Sequence, residues 1–182
     1  MRKQTRSTTT TRDVQDEFSA LQESMTANEY AVCYEQERLP LVRFLIYRGA
    51  APQDAFDAAQ HAFVEAWRRW EHIHNPRTWL RTVAIRAVAK ANQPTVPLNE
   101  QYDLADSAPL DSQVSEETLD LVAALRQLPP LQREIMVWKM DGFTPSEIAK
   151  ELGISAEAAR QGLHRARENL KKMLFPRERG GS

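Results

Sequence analysis

Ten residues near the C-terminal end constrain this chain more than any others. Thr144 is followed by Pro145 and then Glu147, and Gly153 lies beyond the apolar set Ile148, Ala149 and Leu152. A threonine with glutamate three positions on is a capping box, and proline suits the first helical position because its missing N–H would be unpaired there anyway. A helix therefore starts at this threonine. Gly153 permits the left-handed turn that ends it, and Ser155 can cap another helix directly after. Two short helices around a tight glycine turn make a helix-turn-helix unit.

In the second of these helices Ala159, Leu163, Ala166, Leu170 and Leu174 follow the buried stripe. Arg160, Gln161, His164 and Arg165 are left together on the outer face, with Arg167, Lys171 and Lys172 extending the basic character. Arginine can donate to guanine edges and glutamine can pair with adenine, so this face suits a major groove. The competing reading is a bundle corner with a solvated charged face. The short turn at Gly153 and the concentration of groove-reading side chains favour DNA contact.

Upstream, apolar residues again recur at helical spacing. Phe56, Ala59, Phe63, Ala66, Trp67 and Trp70 fall on one stripe. A later helix opens at Asn75 and Pro76 and buries Trp79, Leu80, Val83, Ala84, Ala87 and Val88, with Arg77, Arg81, Arg86 and Lys90 on its other face. Another helix precedes these, bent or restarted near Pro40 and closing near Gly49. Core packing is the expectation for Trp67, Trp70 and Trp79, since large aromatics commonly anchor cores.

No alternation long enough for a sheet occurs, so the fold class is all-α. Two small helical domains are expected, at 16–90 and 118–175. A polar arm covers 1–15 and a short tail 176–182. Between the domains, 91–117 carries Pro94, Pro97 and Pro109 with Glu100, Asp103, Asp106, Asp111, Glu116 and Glu117, which reads as a flexible acidic linker.

Charge, cysteine and motif content narrow the function. The net charge of −1 over 182 residues provides no overall attraction to nucleic acid, so any basic surface is offset elsewhere. A single cysteine, Cys33, excludes an internal disulfide framework and points to a reducing compartment. No apolar run is long enough to span a bilayer, and a cytoplasmic, nucleoid-associated protein is expected. His72 and His74 lack a third ligand partner, so no metal or other cofactor is expected. With no nucleophile motif and no glycine-rich phosphate loop, the chain does not read as an enzyme.

The segment from Leu125 to Leu174, with "LPPLQRE", "GFTPSEIAKELGIS" and "LHRAR", resembles region 4 of the sigma-70 family, in particular the extracytoplasmic-function (ECF) sigma factors. The stretches "LVRFLIYRGA", "DAFDAAQHAFVEAWRRW" and "PRTWLRTVAIR" are similar to region 2 of the same family. The resemblance implies a transcription initiation factor. In such factors region 2 binds the clamp of bacterial RNA polymerase core and melts the minus-10 element, while region 4 sits on the flap and reads the minus-35 element of promoter DNA. It implies polymerase-binding roles for Asp57, Gln60, His61 and Val64, although the family usually has an acidic residue where His61 stands. It implies minus-10 capture by His72, His74, Asn75, Arg77, Arg81 and Arg86, with Lys90 guiding phosphates, and minus-35 reading by Arg160, Gln161, His164 and Arg165. An acidic linker threading the polymerase and control by an anti-sigma factor are further family expectations.

Gly162 departs from the family pattern, which often has a basic residue there. Inside a helix it is expected to cost about 0.5–1 kcal/mol relative to alanine and to remove a phosphate contact. The alternative to a sigma factor is a stand-alone helix-turn-helix regulator that binds duplex DNA as a dimer. The relative placement of the two domains is not readable from sequence.

Overall fold

The computed structural model describes residues 11–91 and 115–174. Seven α-helices and one short 3-10 turn account for nearly all of the described residues. They run α1 (Thr11–Arg48), α2 (Pro52–Arg68), a 3-10 turn (Trp70–His72), α3 (Pro76–Ala91), α4 (Glu116–Arg126), α5 (Pro130–Met140), α6 (Pro145–Leu152) and α7 (Ala156–Leu174). The expected all-α class with two helical halves is what is found. Helix α1 already includes 11–15, which the sequence reading placed in the N-terminal arm, and it runs through Pro40 without restarting. The rest of the arm, most of the expected linker and the tail lie outside the described residues.

In the first half, α2 packs against α1 and α3 with a face made mostly of alanine. Ala55, Ala58, Ala59, Ala62 and Ala66 are all buried, and Phe63 fills the space beside them. Small side chains let three helices approach closely, so the bulk of the core comes from the neighbours: Leu41, Phe44 and Leu45 of α1 and Leu80 of α3. Ala51 carries no side-chain cap, but Pro52 occupies the first turn of α2 and Asp54 adds negative charge there.

The second half builds its core from Leu125, Leu128, Ile135, Val137, Phe143, Ile148, Ala149, Ala159, Leu163 and Ala166. Helices α4 and α6 begin on side-chain caps. Ser115 accepts from the Thr118 amide, and Thr144 with Glu147 makes the full capping box.

The two halves do not hang apart. Their buried residues form one continuous cluster, joined where Phe44 of α1 meets Trp138 of α5 edge-to-face at 5.0 Å between ring centroids. Arg48 at the end of α1 is paired with Glu134 of α5 at 2.8 Å.

Gly162 has a packing role that sequence reasoning missed. A Cβ at this position would lie 2.4 Å from the Cδ1 of Ile135, which is fully buried on α5. Here α7 passes directly over the Ile135 side chain of α5. The cost of the glycine in helix propensity is therefore the condition for that approach, and alanine is not the better residue. We expect Gly162→Ala to gain about 0.5–1 kcal/mol of propensity but to lose about 1–3 kcal/mol to overpacking. The midpoint of urea unfolding should fall, and Gly162→Ala combined with Ile135→Val should recover most of the loss.

Candidate nucleic-acid and polymerase interfaces

The helix-turn-helix is built as its residues dictate. Thr144 Oγ1 accepts from the Glu147 amide at 3.3 Å, and the Thr144 amide donates to Glu147 Oε2 at 2.7 Å. Gly153 takes φ 64° and ψ 34°, the left-handed conformation that closes α6. Ser155 Oγ then accepts from the Ala158 amide at 3.0 Å and starts α7.

Along α7, Ala159, Leu163 and Ala166 are buried, while Arg160, Gln161, His164 and Arg165 are exposed on the opposite side. The four predicted reading residues thus share one open face. Arg167, Lys171 and Lys172 are exposed further along. The face is not idle. Glu157 Oε2 accepts from Arg160 Nη1 at 3.0 Å, and Glu157 Oε1 accepts from Gln161 Nε2 at 3.1 Å. These bonds, Gln161 first and Arg160 second, hold the Glu157 carboxyl below its ordinary pKa.

In the first half, Asp57, Gln60, His61 and Val64 are all exposed along the outer side of α2, so the predicted polymerase-binding set also shares one surface. Asp57 accepts from Gln53 Nε2 at 3.1 Å. His61 borders a groove of about 250 Å³ between α2 and α3, with Glu65, Arg69, Trp79, Arg86 and Lys90 on its walls.

The predicted minus-10 residues divide into two groups. His72, His74, Asn75 and Arg86 are exposed. Asn75 caps α3 by accepting from the Thr78 amide at 3.2 Å, which leaves its amide group free to donate. Trp67 was expected in the core, but it is 53% exposed. It stands at the end of the α2 stripe and rests edge-on against Tyr30 of α1 at 4.9 Å. With Arg68, Arg69, Trp70 and His72 it lines a cavity of about 520 Å³. Two indoles and two guanidinium groups surround the cavity together with Glu71, and both arginines are paired with Glu65, at 2.7 and 3.5 Å. The run "WRRW" was the sequence signal for it.

Arg77 and Arg81 are placed elsewhere. Arg81 is 0% exposed, although sequence periodicity set it on the outer face of α3. It donates from Nε to Asp141 Oδ2 at 2.6 Å and from Nη2 to Asp141 Oδ1 at 3.0 Å, while Nη1 donates to Glu37 and, at 3.1 Å, to the Arg77 carbonyl. Its guanidinium lies between the rings of Phe44 and Phe143, 5.9 and 5.8 Å from their centroids. Arg77 donates to the backbone carbonyl of Asp141 and stacks over Phe143 at 4.7 Å. Asp141 sits in the turn between α5 and α6, where Gly142 adopts φ 92° and a Cβ would lie 3.2 Å from Arg77 Nη2. These two arginines are therefore turned to the second half in this arrangement.

Among the described residues, no group of three or more histidine, cysteine or acidic side chains is placed to hold a metal ion. No helix among them is long and apolar enough to cross a membrane.

Comparison with known proteins shows the family. Residues 33–91 match the family model for sigma-70 region 2, and residues 118–170 match that for sigma-70 region 4. The RNA polymerase sigma-E factor of Streptomyces coelicolor is 32% identical over 141 residues, covering 70% of this chain and 75% of that protein. The chain belongs to the sigma-70 family. It is an RNA polymerase sigma factor of the ECF type, and the stand-alone regulator is not favoured. The RNA polymerase sigma factor CarQ of Myxococcus xanthus is 32% identical over 71% of this chain and 78% of its own length. The probable RNA polymerase sigma factor RfaY of Xanthomonas campestris is 30% identical, but this chain spans only 39% of its length.

Among solved structures, CnrH in complex with the cytosolic domain of CnrY superposes with a TM-score of 0.60 at 20% identity, covering 81% of this chain and 88% of that one. The sigma factor RpoE of Bartonella quintana, in complex with the anti-sigma factor NepR, superposes with a TM-score of 0.54 at 22% identity, covering 79% and 98%. Both share the fold.

The capping box has a testable titration. The Thr144 hydroxyl, then its backbone N–H, hold the Glu147 carboxyl below its ordinary value. A depressed carboxylate stabilises above its unfolded pKa, and that contribution is lost as pH falls through the folded value. Thr144→Val should move the Glu147 titration upward, toward the ordinary carboxylate range, as read by carboxyl carbon NMR. It should also make α6 fray at a higher pH than in the unmodified chain.

Proposed function

We propose that this sigma factor directs bacterial RNA polymerase core to its promoters, with the outer side of α2 against the clamp and α7 in the minus-35 major groove. Asp57, Gln60, His61 and Val64 contact the polymerase. Arg160, Gln161, His164 and Arg165 read base edges and hold phosphates. His72, His74, Asn75 and Arg86 engage the melted minus-10 strand from the exposed surface, with the partly exposed Arg77 beside them, while the buried Arg81 fixes α3 from behind. The observation that carries this reading is the open face of α7, where four groove-reading side chains stand opposite the buried Ala159, Leu163 and Ala166 within a region 4 match.

The exposed Trp67 and its cavity support single-strand capture, because base stacking on an aromatic face is sequence-tolerant and worth about 1–3 kcal/mol per base. An anti-sigma partner is supported by RpoE, which was solved with one. The chain carries no catalytic step of its own on this reading, needs no cofactor and works in the cytoplasm on the nucleoid. With a net charge near zero, neither small DNA-binding unit gains much from the overall field, and polymerase is needed to hold both on one promoter.

Reconstituted transcription tests this directly. Purified core polymerase with a pool of promoter fragments should yield promoter-specific transcripts only when the chain is added. Duplex binding by the chain alone with no gain in initiation would overturn the reading. Arg165→Ala should reduce minus-35-dependent initiation about tenfold, in keeping with about 1–3 kcal/mol for a good base contact. Glu157→Ala should act in the opposite direction on raw affinity. It frees Arg160 and Gln161 and removes a negative charge near the phosphates, so binding by the holoenzyme should tighten and its dependence on log salt should steepen by up to about one unit.

A further inference from the structure

We propose that the cavity beside Trp67 selects the base it takes, that Glu71 makes the selection, and that the base is a guanine of the melted strand. This rests on the single-strand capture proposed above and names the base that such capture chooses.

The cavity has firm walls. Tyr30 of α1 donates from its hydroxyl to the Phe63 carbonyl at 3.0 Å, and its ring meets those of Trp67 and Trp70 at 4.9 and 5.2 Å. One ring fixed by a hydrogen bond thus steadies both indoles. Glu71 lies in the 3-10 turn, where the His72 amide donates to the Arg69 carbonyl at 2.9 Å and the Ile73 amide to the Trp70 carbonyl at 3.1 Å. This short turn carries Glu71 on the cavity wall. The cavity of about 520 Å³ falls within the roughly 300–1,000 Å³ of sites that take small molecules, which leaves room for a nucleobase.

The charges decide what enters. Arg68 and Arg69 each give a contact to Glu65, yet their side chains are 64% and 67% exposed and keep other donors toward solvent. Glu71 forms no ion pair and no hydrogen bond among the described residues. A carboxylate without a partner repels phosphate, so the strand's phosphates belong with the two arginines at the rim. Those same arginines disfavour a cationic side chain from a partner protein. A flat neutral group with donors along its edge fits both the indoles and the carboxylate, and an unstacked base is such a group.

The four bases differ in what they offer Glu71. On its Watson–Crick edge guanine presents N1–H and N2–H side by side, and two carboxylate oxygens accept them as a charge-assisted pair. Guanine O6 then accepts from an arginine or from His72. Adenine and cytosine each offer one amino group next to an acceptor. Thymine offers a single N–H between two carbonyl oxygens, which a carboxylate repels. Guanine is therefore bound best and thymine worst.

The test uses the full chain and labelled oligothymidine strands of about 12 nucleotides that differ only in one central base. Fluorescence anisotropy reads affinity, and circular dichroism checks that each variant keeps its helix content. The strand with guanine should bind about tenfold more tightly than the strand of thymine alone, the size of one good bidentate contact. Glu71→Gln should move the preference from guanine to adenine, whose neighbouring donor and acceptor match an amide. Glu71→Ala should bind the thymine strand more tightly than the unmodified chain does and distinguish the bases no longer. Trp67→Ala should weaken all four strands by about tenfold, as loss of a stacking face does.

Equal binding of the four strands by the unmodified chain, or no binding of any, would overturn the proposal. So would a guanine preference that survives Glu71→Ala. Free dGMP bound as tightly as the guanine strand would make this a nucleotide site and overturn the assignment to a strand. A chain that prefers guanine as expected yet never supports initiation by core polymerase would uphold the base assignment while removing the proposed function, and initiation without any preference at this position would do the reverse.

Discussion

The guanidinium of Arg81 is the point on which the arrangement of this molecule turns. A positive charge with no exposure to water is tolerated only where its donors are filled. Here Glu37 and Asp141 supply acceptors, and the Phe44 and Phe143 ring centroids lie 5.9 and 5.8 Å from the guanidinium carbon. Removing one partner from such a buried pair typically costs about 3–5 kcal/mol when the site stays closed to water. The Gly142 turn, the stacking of Arg77 on Phe143 and the seating of Trp138 against Phe44 all follow from bringing Asp141 to this position. Through them the orientation of α5, α6 and α7 relative to the first half is set.

That orientation separates the surfaces of the molecule. The outer side of α2 and the reading face of α7 remain open, and so does the cavity beneath Trp67. The basic face of α3 is divided, with Arg86 and Lys90 on the open side, Arg81 buried and Arg77 between, its side chain 42% exposed. A single helix thus contributes to two different environments, one polar and wet, the other closed by a partner helix. The alanine face of α2 makes this possible by holding α3 close against α1, within reach of both Glu37 and the α5–α6 turn.

What could be read from sequence was what short-range chemistry determines. The capping box at Thr144, the turn at Gly153, the Ser155 cap and the alternation of buried and exposed positions on α7 are decided within a few residues of each other. Each is found as expected. The Arg81 environment was not legible, because helical periodicity separates apolar from polar positions but cannot show that a charged position will be covered by carboxylates 44 and 60 residues away. Trp67 misled for the converse reason: it lies on the apolar stripe, but with Tyr30 of α1 against it about half of the residue still faces solvent. Gly162 could be seen as a departure from the family pattern, whereas its reason, the Ile135 side chain of another helix, exists only in the packed structure.

Glu157 accepts one hydrogen bond each from Arg160 and Gln161, so part of the exposed face of α7 is already engaged. On the proposed function, docking on a promoter is therefore an exchange of partners rather than a simple gain of them. A matching base pair returns two well-aligned hydrogen bonds for the two surrendered, but a mismatched one leaves donors stranded beside a carboxylate that is still competing for them. On that reading the glutamate subtracts from attraction to DNA in general while widening the gap between right and wrong sites, an internal stringency control one helical turn from Gln161.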